Sequence, residues 1–282
     1  MTNPIEYHFK AFKEKFSSEF LNWVLFERKL KELYEYCKNT NIEFEKICGD
    51  YINRESSEDW RAEEKVHETE SEELIKNYYS TTKMYLIELT AQESTVEYSN
   101  LFRSIGQFIK RNRIKKVLDF GSGIGGLVIY LSCLGISCDY ADIPGETWNY
   151  AKYRFQKEGV DASQVTEKDL AKLSPKYDLI VSLDCLEHLK PLPKYIALFN
   201  SALRTNGFLL AKNAFFGCGL HLSSNYKYDG LSTFNEMVEN KGFVFKGQLI
   251  TRLKRNFLVP DLFCKLLSSS SASGKKLIYL KR

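Results

Sequence analysis

The chain has 282 residues, 44% of them hydrophobic, enough to bury a substantial core, and its 40 basic and 36 acidic side chains leave a net charge of only +4. So even a balance gives no broad electrostatic footprint for nucleic acid or an anionic membrane, and no apolar run of about 18 residues is present to span a bilayer. The seven cysteines are odd in number and scattered without a C-x-x-C pair. That pattern reads as reduced thiols rather than disulfides or zinc ligands, and no metal site is expected. The stretch "MTNPIEYHFK" carries charge and lacks the apolar centre of a secretory signal, so a cytoplasmic protein is expected.

In chain order, "SSEFLNWVLFERKLKELYEYC" sets Phe20, Leu21, Val24, Leu25, Leu30 and Leu33 at three- and four-residue spacings behind a serine cap, the period of an amphipathic helix. The acid-rich "ESSEDWRAEEKVHETESEEL" has few apolar anchors and reads as a solvated helix or a link. "NYYSTTKMYLIEL" and "STVEYSNLFRSIGQFIKRN" return to helical spacing. Residues 1–95 are therefore expected to form a helical cap or lid, and 96–282 a ligand-binding domain.

After Arg113 the pattern alternates. The strands "IKKVLDF", "ISCDYADI", "SQVTE", "YDLIVSLD", "FLLAKNAF", "FVFKGQLI" and "KKLIYL" are separated, up to the sixth, by helical segments, among them "LPKYIALFNSALRTNG" at 192–207. Strands joined through helices imply right-handed crossovers. The expected class is α/β, a doubly wound, mostly parallel, seven-stranded sheet with an N-terminal helical cap. The serine run at 268–274 reads as a flexible loop before the last strand.

The first strand runs into "VLDFGSGIGG", residues 117–126. A ligand lying across the carboxyl end of a first parallel strand meets bare backbone only where side chains are missing, and Gly121, Gly123 and Gly125 or Gly126 supply that. Asp142 ends the second strand about 20 residues later, where a carboxylate can accept both hydroxyls of a ribose. Glycines and acid together permit a dinucleotide or another adenosine ligand.

Here the sequence resembles the class I S-adenosylmethionine-dependent methyltransferases of small-molecule type: "VLDFGSGIGG" is similar to their first motif, "DYADIPGETWNYAKYRF" to their second, and "YDLIVSLDCLEHLKPLPKYIALFNSALRTNGFLLAKN" to their fourth and fifth. The likeness covers roughly residues 95–282. It implies S-adenosylmethionine as cofactor, with S-adenosylhomocysteine as product. It implies that Asp119, Gly121, Ser122 and Gly123 face the methionine part and that Asp142, with Ile143 beside it, holds the ribose. Asp169 and Leu170 would meet the adenine, and Asp184 would lie beneath the reactive centre. Pro144 and Gly145 depart from the usual second motif by imposing a tight turn. Tyr79 and Tyr85, with Tyr78, could close the methionine side as a lid, although aromatics at helical spacing also build core.

The (D/N)-P-P-(Y/F) signature of nucleobase amino methylation is replaced by "DCLEHL", so a small or medium-sized metabolite is the expected acceptor. His188 and His221 are the candidate bases, with His221 expected nearer the acceptor because glycines flank it in "GCGLHL". Two other readings stay open at this point. One is a lyase or cyclase in which the sulfonium is the leaving group for attack on the aminopropyl carbon, and the other a non-catalytic cofactor-binding partner. The oligomeric state is left open.

Overall fold

The first apolar stripe belongs to a helix that starts later than its serines suggest. The computed structural model describes residues 3–15, 21–172, 174–215, 221–249 and 275–281; the serine run at 268–274 and the glycines Gly217 and Gly219 beside His221 lie outside them. Following α1 (Pro4–Lys15), helix α2 spans Trp23–Thr40, and its cap is Asn22, whose side chain accepts the Leu25 N–H. The later start turns the buried face to Phe26, Leu30, Leu33 and Cys37, and leaves Val24, expected inside, 81% exposed.

Four more helices follow: α3 (Phe44–Ile52), α4 (Glu58–Thr69), α5 (Glu72–Thr81) and α6 (Met84–Glu93). The acid-rich stretch is helix α4, capped by Ser57, and more than a solvated face, since Val66 and Glu63 are buried. Then come α7 (Val96–Arg111), β1 (Lys116–Phe120), α8 (Gly126–Cys133), β2 (Ser137–Ala141), α9 (Glu146–Glu158) and β3 (Gln164–Val165). The chain continues through α10 (Glu167–Leu170), β4 (Tyr177–Leu183), α11 (Leu192–Ala202), β5 (Leu203–Lys212), α12 (Leu231–Glu239), β6 (Phe243–Gln248) and β7 (Lys276–Lys281). The helix read over 192–207 ends at Ala202, because the Ala202 carbonyl accepts the Lys176 N–H and Leu203 already pairs with Tyr177 of β4.

The seven described strands form one sheet in the order β3-β2-β1-β4-β5-β7-β6. β1 pairs parallel with β2 and β4, as do β2 with β3 and β4 with β5, whereas β7 runs antiparallel between β5 and β6. Strand alternation separates two cores. Leu118, Phe120 and Ile180 face Ile196 and Phe199 of α11 and Phe234 of α12, while Val117, Leu179 and Val181 face Ile105 and Ile109 of α7 and Leu127 and Leu131 of α8. Each such wholly buried aliphatic side chain stabilises the fold by about 1.5–3 kcal/mol.

The front helices do not stand apart from this sheet. Phe26, Leu30 and Leu33 share a third core with Ile124 of the glycine loop and Tyr150 of α9. Within it Glu93, the last residue of α6, accepts the Gly126 N–H at 2.9 Å and pairs with Lys29 and with Arg154 at 3.2 Å. Replacing Glu93 by alanine leaves the Gly126 amide without its acceptor and strips Lys29 and Arg154 of the carboxylate they share. The expected loss is about 3–5 kcal/mol of unfolding free energy in urea titration, and a loss below about 1 kcal/mol would refute the role given to this carboxylate.

Candidate active site

At the end of β1 the loop doubles back under pressure from both sides. Gly121 (φ +72°) lies where a Cβ would stand 2.3 Å from the Cys185 sulfur, and Gly123 (φ +55°) where a Cβ would meet Leu89 of α6 at 2.7 Å. Both the left-handed backbone and the absent side chain are thus required. The loop is tied down by side chains already noted. Asp142 accepts the Gly123 N–H through Oδ2 at 2.5 Å and the Ile143 N–H through Oδ1 at 2.7 Å. Ser122 donates to Asp119 Oδ2 at 2.5 Å, and the Tyr140 hydroxyl donates to the Gly123 carbonyl at 2.6 Å. Burial pushes the Asp142 carboxyl up to about 6; burial, aided by the charge of Asp142, pushes Asp119 up to about 7.

Between this loop and the front helices lies a cavity of about 730 Å³. Asp119, Gly121, Ser122, Gly123, Asp142 and Ile143 line one side of it. Tyr79 of α5 and Tyr85 and Leu89 of α6 line the other. The two tyrosine rings meet edge to face at 5.4 Å, and the Tyr85 hydroxyl donates to buried Glu63 at 3.0 Å. Tyr78 is off the wall, packed with Val66, Ile75 and Leu222.

At the far end the structure departs from the expectation for the adenine. Asp169 is not on the cavity wall. Its carboxylate accepts the Thr166 N–H at 3.0 Å and hydroxyl at 2.6 Å, closing a capping box on α10. Leu170 is buried in the sheet core. Val165, Thr166, Glu167 and Lys168 line this corner instead. The acidic group present is Glu167, held by Lys76 at 3.2 Å and Lys194 at 2.9 Å.

Asp184, just past β4, lines the cavity in a left-handed conformation (φ +47°). Both its oxygens contact the Lys212 ammonium, and Tyr98 donates to it. Its charge is therefore compensated. Of the two histidines, His188 is on the cavity wall, with Nδ1 2.9 Å from the Tyr79 hydroxyl. His221 is not among the wall residues; its ring packs on that of His188 at 5.2 Å and burial lowers its pKa. Of the pair, it is therefore His188 that stands on the cavity wall and His221 that stands beside it. The reason is that Leu222 and Asn225 bond back to the Glu187 and Leu189 carbonyls, which holds His221 against the His188 side of the site.

Sequence reasoning missed Leu89, Gln92 and Glu93, which also line the cavity. They sit on a helix whose inward face is set by tertiary packing, and nothing local marks them.

Residues 96–218 match the family model of a methyltransferase domain. Over 115 residues, 39% of this chain, the sequence is 30% identical to a probable fatty acid methyltransferase of Mycobacterium tuberculosis. The match spans only 27% of that relative's length, roughly a quarter. Among solved structures, the magnesium protoporphyrin IX methyltransferase of Synechocystis with bound S-adenosylmethionine is similar over 78% of this chain and 97% of its own, at 17% identity and a TM-score of 0.48. A TehB-like methyltransferase from Corynebacterium glutamicum is similar over 64% of this chain and 88% of its own, at 21% identity and a TM-score of 0.44. No helix among the described residues is long and apolar enough to cross a membrane. The glycine loop, the acid after β2 and most of the parallel strands of the sheet lie within residues 96–218, the part of the chain that matches a methyltransferase domain.

Proposed function

We propose that the protein transfers a methyl group from S-adenosylmethionine to a small or medium-sized metabolite, in the cytoplasm. The observation that carries this reading is the cavity itself, closed between the glycine loop of the matched residues and a tyrosine-lined roof from the helices that precede them. Its volume suits a ligand of cofactor size with room beside it. The residues present fit the cofactor: buried Asp119 and half-buried Asp142 line the cavity from the ends of β1 and β2, one for an ammonium and one for a pair of hydroxyls.

When bound, the sulfonium supplies an electrophilic methyl carbon and a neutral thioether leaving group. The chain's own contribution is grip, dryness and a handle on the acceptor. Gly121, Ser122 and Gly123 offer backbone to the methionine part, Asp119 its charge, and Asp142 its two oxygens to the ribose. Tyr79 and Tyr85 exclude water over a reaction in which charge is dispersed, which favours a site without competing solvent. His188, fixed by the Tyr79 hydroxyl, is the side chain through which the acceptor is engaged. His221 supports it from behind. A cytoplasmic setting is favoured by the five described cysteines, all free thiols.

Incubation with methyl-labelled S-adenosylmethionine and cell extract tests the reaction: S-adenosylhomocysteine should appear, and methylthioadenosine in its place would overturn transfer. Asp142→Ala and Gly123→Val should each weaken S-adenosylhomocysteine binding in calorimetry by about tenfold or more, the first by removing an acceptor of hydrogen bonds and the second by driving Leu89 into the cavity. His188→Ala should lower turnover by about 10²–10⁴-fold with cofactor affinity little changed, whereas wild-type turnover would remove this histidine from the mechanism.

The pH dependence has a definite sign. Asp119 and Asp142 titrate above the ordinary carboxylate range in the folded chain, so they gain protons as pH falls through about 7 and about 6. Protonation weakens them as acceptors and abolishes their charge, so affinity for S-adenosylhomocysteine should decline between pH 7.5 and 5.5 at about the values just given, and Asp119→Asn should flatten the upper part of that decline. An affinity constant across this interval would overturn the assignment.

A further inference from the structure

Beside the cavity wall three side chains with metal-ligating atoms converge. Glu187 and His188, in the turn after β4, and His221, before the 3-10 turn at Ser223–Tyr228, each offer one ligand atom, and these atoms lie within 4.8 Å of one another. The convergence is built into the backbone. The Leu222 N–H and the Asn225 amide donate to the Glu187 carbonyl at 3.4 and 3.2 Å, and the same amide reaches the Leu189 carbonyl at 2.9 Å. Glu70 fastens the same segment from the other side, accepting from Ser223 at 2.7 Å and from the Ser224 N–H at 2.9 Å while pairing with Lys190.

A second observation points to a ligand there. Glu187 is 1% exposed; Oε1 accepts the Ala214 N–H at 3.0 Å, but Oε2 has no hydrogen-bond partner among the described residues. A buried carboxylate oxygen without a donor is expensive, and folded proteins keep such groups where something else satisfies them. Lys212, the ammonium at the neighbouring strand end, is committed to Asp184. The His188 ring is oriented from outside the cluster, its Nδ1 lying 2.9 Å from the Tyr79 hydroxyl, the kind of support that fixes a ligating imidazole.

We propose that Glu187, His188 and His221 bind one divalent transition-metal cation of the zinc or manganese class. Two imidazoles and one carboxylate suit such ions, whereas magnesium and calcium ask for oxygen ligands. Ligand atoms on a shared ion stand about 3–3.5 Å apart at bond lengths of about 2.1 Å, which small side-chain rotations within the 4.8 Å limit reach. Because His188 lines the cavity, an ion held here has its open position toward the acceptor. A hydroxyl bound at that position releases its proton to solvent more readily. Its oxygen pair then forms the bond to the methyl carbon as the carbon–sulfur pair leaves with sulfur. This use of the ion rests on the methyl-transfer reading; binding of the ion does not.

The test uses chelator-treated full-length protein titrated with Co²⁺, followed through its visible absorption, with S-adenosylhomocysteine affinity measured by calorimetry on the same preparation. One Co²⁺ per chain should bind and be displaced by Zn²⁺. His221→Ala and Glu187→Gln should each weaken Co²⁺ binding by about 10–100-fold or more with S-adenosylhomocysteine affinity held within about twofold, and Glu187→Gln keeps the acceptor for the Ala214 N–H so that the fold is preserved. Absence of saturable cobalt absorption in protein that still binds S-adenosylhomocysteine would overturn the site, as would cobalt binding unaltered by both substitutions. Cobalt binding without S-adenosylhomocysteine binding would support the metal site and strike the methyltransferase reading alone.

Discussion

The buried carboxylate of Glu93 is the interaction on which the arrangement turns. It joins the end of α6 to the first amide of α8 and to Arg154 of α9, with Lys29 of α2 completing the charge balance. A helix amino terminus carries partial positive charge, and a carboxylate placed on it gains from that field as well as from the cations. The packing leaves no slack, since a Cβ on Gly126 would sit 2.2 Å from the Glu93 carboxyl. The pair of cations keeps the carboxyl of Glu93 below its ordinary pKa, although burial alone would raise it. Because the same helix end borders the glycine loop, whatever fixes α6 also fixes the geometry of the cavity floor.

The roof depends on a second polar cluster. Glu63 of α4 accepts from Tyr85 and pairs with Arg54, which also reaches Glu88 of α6 at 3.0 Å. Asp59 of α4 accepts from the Thr82 hydroxyl and the Met84 N–H, both at 3.3 Å, and so holds the corner between α5 and α6. Thus the helix that looked solvated is the support on which the two cavity-lining tyrosines rest. Floor and roof are set by buried charge, while the apolar cores fill the space between. Such networks hold only when their members are satisfied together, so a change in α4 is felt at the cavity without touching it.

The sheet was legible because alternation of short apolar runs with helical periods leaves few topologies. The site was legible where local backbone geometry demands a residue type, at Gly121 and Gly123, and where chain order puts an acid at a strand end, at Asp142. It was not legible where a side chain could serve two purposes. Asp169 looks like a ligand-facing acid in sequence, yet its own Thr166 captures it through a three-residue reach that any capping box allows. That His188 rather than His221 lines the cavity was not legible either, because it is set by hydrogen bonds from Leu222 and Asn225, groups distant in sequence from the turn they grip. Glu93 carried no signal at all: its partners come from α2, α8 and α9, and only the folded arrangement brings them to it.

The placement of β7 between β5 and β6 has a consequence for biosynthesis. The parallel strands β1 to β5 can pair in the order in which they leave the ribosome, each beside a neighbour already made. β6 cannot. It emerges before the only strand it bonds to among those described, and waits with both edges open until β7 slides between it and β5. During that interval its open edges lie beside apolar side chains on both faces, Phe243 and Phe245 on one and Val244 on the other. Unpaired apolar edges of this kind are what chaperones shield, so the stage at which a nascent chain is most prone to associate with others falls between the synthesis of these two strands.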